Sequence, residues 1–378
     1  MIGTQTPTSF ITHAADVASF YGFRPIRDVE RGIPAPERTR GVHSFGTATN
    51  SCSVFVAQRP EPLLAFYATP TPSHVPAQFS QKDTAEFGLH VAGSSESLGE
   101  VVLLKTLFAI LTEWGAGVAR VRVNALGDRD SKARFERELL AYLKRHTGDL
   151  DETCQSTVAA NPFAPYMCQS DTCRQILADG PRAVNFLSEK SRAHFREVLE
   201  HIERLGLPYE LDDLLVGDDR EPRIVFAIDL AEEHETILGG AGGRFDEYVH
   251  RLTNKKDSAA VSASIFFRKK GVAKSSFASH APAYAPKIYF VQLGLRAKLQ
   301  GLAVVDMLRQ AHVPVWQSFD AKSLGLQLDS ARTLGVSHLL IMGQREALDG
   351  TVIVRSATNS SQTIIPLTTL PRFLKSLA

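Results

Sequence analysis

Gly239-Gly240-Ala241-Gly242-Gly243-Arg244-Phe245-Asp246 sets four glycines beside an arginine and an aspartate. Glycine at that density lets a backbone turn tightly or approach a ligand closely, so the run predicts a tight turn or a backbone-lined pocket. Strand-like residues 223–228 precede it and helix-like residues 247–252 follow. Neither G-x-G-x-x-G nor a P-loop can be drawn through these residues, which removes the common nucleotide fingerprints. Cys154, Cys168 and Cys173 could supply three thiolates, with Asp151 as a fourth ligand. Their irregular spacing and the lack of paired C-x-x-C arms favour reduced thiols instead, as for Cys52, and no metal is expected. No G-x-S-x-G elbow is present, and His234-Glu235 lacks the second histidine of a zincin.

Several elements must hold these residues. Apolar spacing predicts a helix over 11–23, with Pro25-Ile26 opening a strand, then a short strand at Val54-Phe55-Val56-Ala57 and a helical turn over 63–68. Residues 87–92 alternate as a strand. Residues 98–114 carry the clearest apolar helical stripe, at Val101, Leu104, Leu107, Phe108 and Leu111. A strand of alternating Arg and Val over 118–123 turns at Asn124–Asp128 into a helix over 131–146. Residues 131–205 read as a helical insertion between the two parts of one body, 1–130 and 206–271. Residues 272–286, rich in Ala, Ser and Pro, form a linker. Over 287–378 strands and helices alternate, which implies a small α/β domain with a mostly parallel sheet.

Composition narrows the partners. Lys and Arg total 42 against 41 Asp and Glu in 378 residues, so a nucleic acid would have to meet local basic patches, such as Lys255-Lys256 or Arg268-Lys269-Lys270. An apolar fraction of 44% and a charged fraction of 22% fit a soluble globular chain. No apolar run reaches the roughly 20 residues needed to span a bilayer. Met1-Ile2-Gly3-Thr4-Gln5 lacks the charged and apolar regions of a signal peptide, so the expectation is a cytoplasmic protein with no membrane partner.

The Gly-Gly-Arg-Phe-Asp run resembles the Gly-Gly-Arg-Tyr-Asp stretch of histidyl-tRNA synthetases, a class II family, and the likeness extends along most of the chain. Tyr142-Leu143, Asp151-Glu152-Thr153-Cys154 and Asn161-Pro162 stand where the family's insertion carries such residues. Gly343-Gln344-Arg345-Glu346, Gly350-Thr351-Val352 and Pro366-Leu367 fall on landmarks of its anticodon-binding domain. The resemblance implies an α+β fold: an antiparallel class II sheet body with a helical insertion, plus a C-terminal anticodon-binding-like α/β domain over 287–378. It also implies a homodimer.

The family's catalytic positions are changed. The motif 2 arginine that grips the α-phosphate aligns with Pro72. The histidine-binding glutamine becomes Glu86, and the glutamate that reads the imidazole becomes His90. The catalytic arginine of the Arg-Gly-Leu-Asp-Tyr-Tyr stretch becomes Val216, its two tyrosines become Arg220 and Glu221, and the motif 3 arginine becomes Lys269. Adenylation brings a carboxylate against a polyphosphate and needs fixed cations, which Pro and Val cannot supply. Removing one preorganised group of that kind typically lowers the rate about 100- to 1,000-fold. Glu61, where the family holds the amino group of its amino acid, and the floor of Gly240, Gly242, Gly243 and Arg244 are kept as pocket candidates with Glu86 and His90. By plain structural readings, Glu61 pairs with a cation, residues 218–221 form a solvated turn, and His90 is a buried structural histidine.

The expected function is therefore binding without catalysis, with tRNA or another RNA as ligand and a protein partner as a further expectation. Two alternatives stay open. One is a regulatory subunit sensing an effector such as histidine, of the ATP-phosphoribosyltransferase type, although such subunits generally lack the terminal domain. The other is a divergent ATP-dependent histidine–tRNA ligase, the only case that calls for ATP and Mg.

Overall fold

The structure is a computed structural model describing residues 6–33, 44–58, 62–76, 78–217, 220–254, 259–277, 286–317, 323–359 and 361–377. The body begins with α1 (Pro7–Phe20), β1 (Arg24–Pro25), α2 (Ile26–Arg31), α3 (Phe45–Gln58), β2 (Leu63–Thr69), β3 (Thr84–Ala92), α4 (Leu98–Glu113) and β4 (Val118–Ala125). The insertion follows as α5 (Arg129–Arg145), α6 (Glu152–Thr157), α7 (Asp171–Ala178) and α8 (Glu189–Arg204), with short 3-10 turns between them. The chain returns to the body through β5 (Tyr209–Leu211), β6 (Ile224–Leu230), β7 (Ile237–Arg244), α9 (Asp246–Thr253) and β8 (Ala260–Arg268). A terminal domain is built from β9 (Ile288–Gln292), α10 (Leu295–Gln310), β10 (Trp316–Gln317), α11 (Leu324–Thr333), β11 (His338–Met342), α12 (Gln344–Asp349), β12 (Thr351–Ser356), β13 (Gln362–Pro366) and α13 (Leu370–Lys375).

The body sheet runs β1-β2-β3-β8-β7-β6-β4-β5, antiparallel through its six central strands and parallel only at its two outermost pairs. β3 is buried along its whole length because α3 and α4 both pack on it. The helix α4 lies under the sheet with nearly every side chain buried, as a central core helix must.

The glycine run is a strand, so of its two expected uses the tight turn fails and the backbone-lined pocket stands at Gly240 and Gly242. Gly240 to Gly243 pair with β6 on one side and β8 on the other. A Cβ on Gly242 would sit 2.4 Å from the Ser262 carbonyl oxygen, so glycine is needed there for the strands to close up. Two further expectations reverse. Residues 54–57 are the last turn of α3, started by Ser44 and Thr47, whose hydroxyls bond each other's backbone N–H groups, so the apolar run is one helical face. Residues 63–68 are β2, because seven consecutive pairings with β3 outweigh local helical propensity. Ile26 opens α2 rather than continuing a strand. The terminal sheet, β10-β9-β11-β12-β13, is mixed rather than mostly parallel, since β12 and β13 form antiparallel pairs that the alternation did not reveal.

One buried ion pair ties the body together. Arg244, at the end of β7, places Nε and Nη2 2.7 Å from the two carboxylate oxygens of Glu100 in the first turn of α4. Its remaining N–H groups reach the carbonyls of Ser94 and Glu96, both at 3.0 Å, and Asp246 at 3.3 Å. All five guanidinium donors are thus used. Asp246 then accepts the Ala260 N–H at 3.0 Å and Arg223 at 3.0 Å, which fixes the start of β8.

The terminal domain docks on α1 and α4 through α10. Asp306 meets Tyr21 and Lys105, Arg309 meets Glu113, and Gln317 donates to the Phe20 carbonyl at 3.1 Å. The hydrophobic core is continuous across this junction.

Burial raises the pKa of Glu100, but the Arg244 charge and hydrogen bonds, with His194 at 2.8 Å, outweigh it and hold the carboxyl at about 2. Its stabilisation is complete above the ordinary carboxylate value of 4.5 and is lost as pH falls toward about 2. Glu100→Gln should therefore cost about 3–5 kcal/mol at pH 7, and the gap to wild type should narrow below pH 4.5. Urea unfolding across pH checks this, and a gap under about 1 kcal/mol at pH 7 would contradict it.

Candidate functional site

A cleft of about 660 Å³ opens over the middle of the body sheet. Its floor is Glu86 of β3, Ser262 and Ser264 of β8, and Gly240 and Gly242 of β7. Phe45, Arg220 and Phe245 form one wall, and Pro165 to Gln169 of the insertion form another. Ionised neighbours Arg120 and Arg122 of β4 close the far end with Glu210, Asp212 and Asp229.

Glu86 is the most informative group in the floor. Two residues further along β3, Gly88 pairs with Tyr67, and a Cβ on Gly88 would lie 2.3 Å from the Tyr67 ring. Glycine there lets the ring fold across β3, so that the Tyr67 hydroxyl donates to Glu86 Oε1 at 2.6 Å. Ser264 donates to the same oxygen at 2.5 Å. The other oxygen, Oε2, is buried and has no hydrogen-bond partner among the described residues. Burial pushes the Glu86 carboxyl above its ordinary value, opposed by Ser264, Tyr67 and the charge of Arg220.

Arg220 approaches from the wall. Its guanidinium lies 4.4 Å from the Phe45 ring centre and 4.7 Å from that of Phe245, close enough for cation–π attraction. At the far end the arginines are matched by acids. Arg122 bonds Asp229 at 2.9 Å and Asp212 at 2.7 Å, while Arg120 bonds Glu210 at 2.6 Å and Asp229 at 3.2 Å. Among described residues the cleft lining carries four arginines and four carboxylates, an even formal count.

The sequence candidates divide. Glu86, Gly240, Gly242 and Val216 line the cleft. Val216 is also buried in the insertion's apolar cluster with Leu139 and Leu177. Arg244 was expected as a pocket residue, but its donors are all taken by the fold. Gly243 faces the Ile224 carbonyl, where a Cβ would come within 2.3 Å, and is not part of the lining. His90 lies behind Phe45, with ring centres 5.9 Å apart, and neither ring nitrogen has a partner among the described residues. Burial pushes its pKa down to about 4, so it is a neutral imidazole at pH 7.

Pro72 is buried outside the lining and accepts from Gln81 at 3.2 Å. Lys269 donates to the Pro70 carbonyl at 3.2 Å, also outside the lining. Glu61, Asp218, Asp219, Lys255 and Lys256 fall outside the described residues. Glu221 leaves the cleft altogether, bridging Arg251 at 2.8 Å and Lys132 at 3.4 Å. Arg120 and Arg122 were not expected in the site, and Arg220, aligned with a family tyrosine, was read as part of a solvated turn but lines the cleft. The Arg-Val alternation of 118–123 held that signal, since alternate residues of a strand share one face. The fourth-ligand role considered for Asp151 is not what its position offers, because its carboxylate caps α6 at the Thr153 N–H, 3.0 Å away.

Comparison with known proteins follows this geometry. Residues 292–377 match the anticodon binding domain family. A histidine–tRNA ligase from Chlorobium phaeobacteroides is 25% identical over 350 residues, 92% of this chain and 80% of its own. Along nearly its whole length the chain is similar to the histidyl-tRNA synthetase-like class II family. A second such ligase, from Rubrobacter xylanophilus, is 28% identical over 311 residues, 80% of this chain and 71% of its own. Histidyl-tRNA synthetase from S. aureus, in its apo form, superposes with a TM-score of 0.48 at 17% identity, covering 99% of both chains. The terminal sheet and its helices are thus an anticodon-binding domain, set beside a body with a large antiparallel sheet.

Because the Glu86 carboxyl is raised by burial, it opposes folding increasingly as pH rises through its folded pKa. Glu86→Gln should therefore be neutral or stabilising at pH 8 and lose that advantage at pH 4. Paired urea melts test this, and a loss beyond about 1 kcal/mol at pH 8 would contradict it.

Proposed function

We propose that this protein is a non-catalytic member of its family, cytoplasmic and homodimeric, that acts by binding tRNA or another RNA. The observation carrying the first part is the charge balance of the cleft. Val216 and Pro72 stand buried at the family's cationic positions, and Arg120 and Arg122 are matched by acids. A polyphosphate needs uncompensated cations held in place, and the described cleft offers no such surplus. The ATP and Mg of an active ligase have no counterpart in this reading.

RNA binding is supported by the matched anticodon-binding domain and by local charge. Residues 287–378 carry ten Lys and Arg against five Asp and Glu, in a chain whose net charge is +1. Homodimers prevail among symmetric assemblies and among class II proteins that pair through their bodies. No helix among the described residues is long and apolar enough to cross a membrane.

A second reading rests on Glu86. A buried carboxylate oxygen with no partner among the described residues, beside Arg220 and an aromatic wall, suits the ammonium or imidazole N–H of a small ligand. The cleft would then sense an effector such as histidine, with regulation of an enzyme or another protein partner as the output. Glu86→Gln should abolish any histidine-induced rise in melting temperature under this reading.

The leading proposal predicts that the purified protein binds tRNA at low salt and loses about tenfold or more in affinity between about 50 and 200 mM salt. Filter binding of total tRNA and of a histidine-accepting transcript measures this. Absence of binding at low salt would overturn the RNA reading and leave effector sensing.

A further inference from the structure

The insertion holds three sulfur atoms together, although their irregular spacing in sequence argued against a metal set. Its own core is small, built mainly from Phe135, Leu139, Leu143, Leu150 and Leu177. Around α5 the chain is cut into short pieces: α6 has six residues, α7 has eight, and a four-residue 3-10 turn spans Ala164–Met167. Helices this short do not hold themselves in water, and small cores generally need a staple.

Each piece brings one cysteine. Cys154 lies on α6, Cys168 directly follows the 3-10 turn, and Cys173 lies in the first turn of α7. The three Sγ atoms lie within 4.8 Å of one another. Three thiolates on a tetrahedral zinc, at about 2.3 Å each, sit about 3.8 Å apart, so only side-chain adjustment separates the arrangement from a ligand set. Two backbone N–H groups already point at sulfur: Asp151 to Cys173 at 3.3 Å and Ser170 to Cys168 at 3.4 Å. Such donors stabilise metal-bound thiolates from outside the ligand sphere. All three are free thiols rather than a disulfide with one thiol left over.

We propose that Cys154, Cys168 and Cys173 form a zinc site that staples α6, the 3-10 turn and α7 into one unit. Binding releases the thiol protons as three Zn–S bonds form, and a water completes the tetrahedron. Cys154 and Cys173 are buried, whereas Cys168 is partly exposed and lines the cleft. The metal therefore also fixes the wall formed by Tyr166, Met167 and Gln169.

The test is elemental analysis of untagged protein grown with zinc and purified without chelator. One zinc per chain is expected, falling below about one-tenth in Cys154→Ser and Cys173→Ser. Both tryptophans, Trp114 and Trp316, lie outside the insertion, so their unchanged fluorescence would show that these variants keep a folded body and terminal domain. Replacement by cobalt should give intense near-ultraviolet thiolate-to-metal absorption, lost in Cys168→Ser. Metal-free wild type whose three thiols titrate fully and are not protected by added zinc would overturn the proposal. So would a disulfide between any two of them.

Discussion

Arg244 and Glu100 constrain the body more than any other pair. A charge taken out of water is tolerable only when its partners replace the lost hydration, and here five donors meet five acceptors with none left over. The pair joins the end of β7 to the start of α4. Through Asp246 it also sets where β8 begins. The floor of the cleft is made from those same strands, so its shape follows from a contact outside its lining.

This gives the Gly-Gly-Arg-Phe-Asp run a reason to persist that needs no catalysis. Gly242 is needed for two strands to approach, Arg244 for the helix beneath them, and Asp246 for the turn into β8. Those demands come from the fold. Pro72 and Val216 carry no charge: one is buried with its carbonyl accepting from Gln81, and the other fills the insertion's apolar cluster. What remains in the cleft is a different chemistry, in which Glu86 offers an unpaired oxygen and Arg220 is held between aromatic rings.

The legible parts of this fold were those with a strong local signal. The helix α4 announced itself through its apolar stripe, β4 through alternation, and the family through motifs spread over the chain. The misread parts were decided by distant partners. Residues 63–68 have no intrinsic reason to be extended until β3 lies beside them, and the glycine run has no reason to be a strand until β6 and β8 enclose it. Arg220 was read as part of a solvated turn because nothing near it in sequence reveals Phe45 and Phe245. The three cysteines were set aside for the same reason, since spacing along the chain does not report the distance between sulfurs once short helices fold back on each other.

The central claim is that a class II scaffold persists here without the cations that drive adenylation. Histidine-dependent ATP–pyrophosphate exchange by the purified protein, with Mg and saturating substrates, tests it most directly. The account predicts no exchange above that of a no-enzyme control. Exchange that depends on histidine, and that scales with protein across independent preparations, would contradict it.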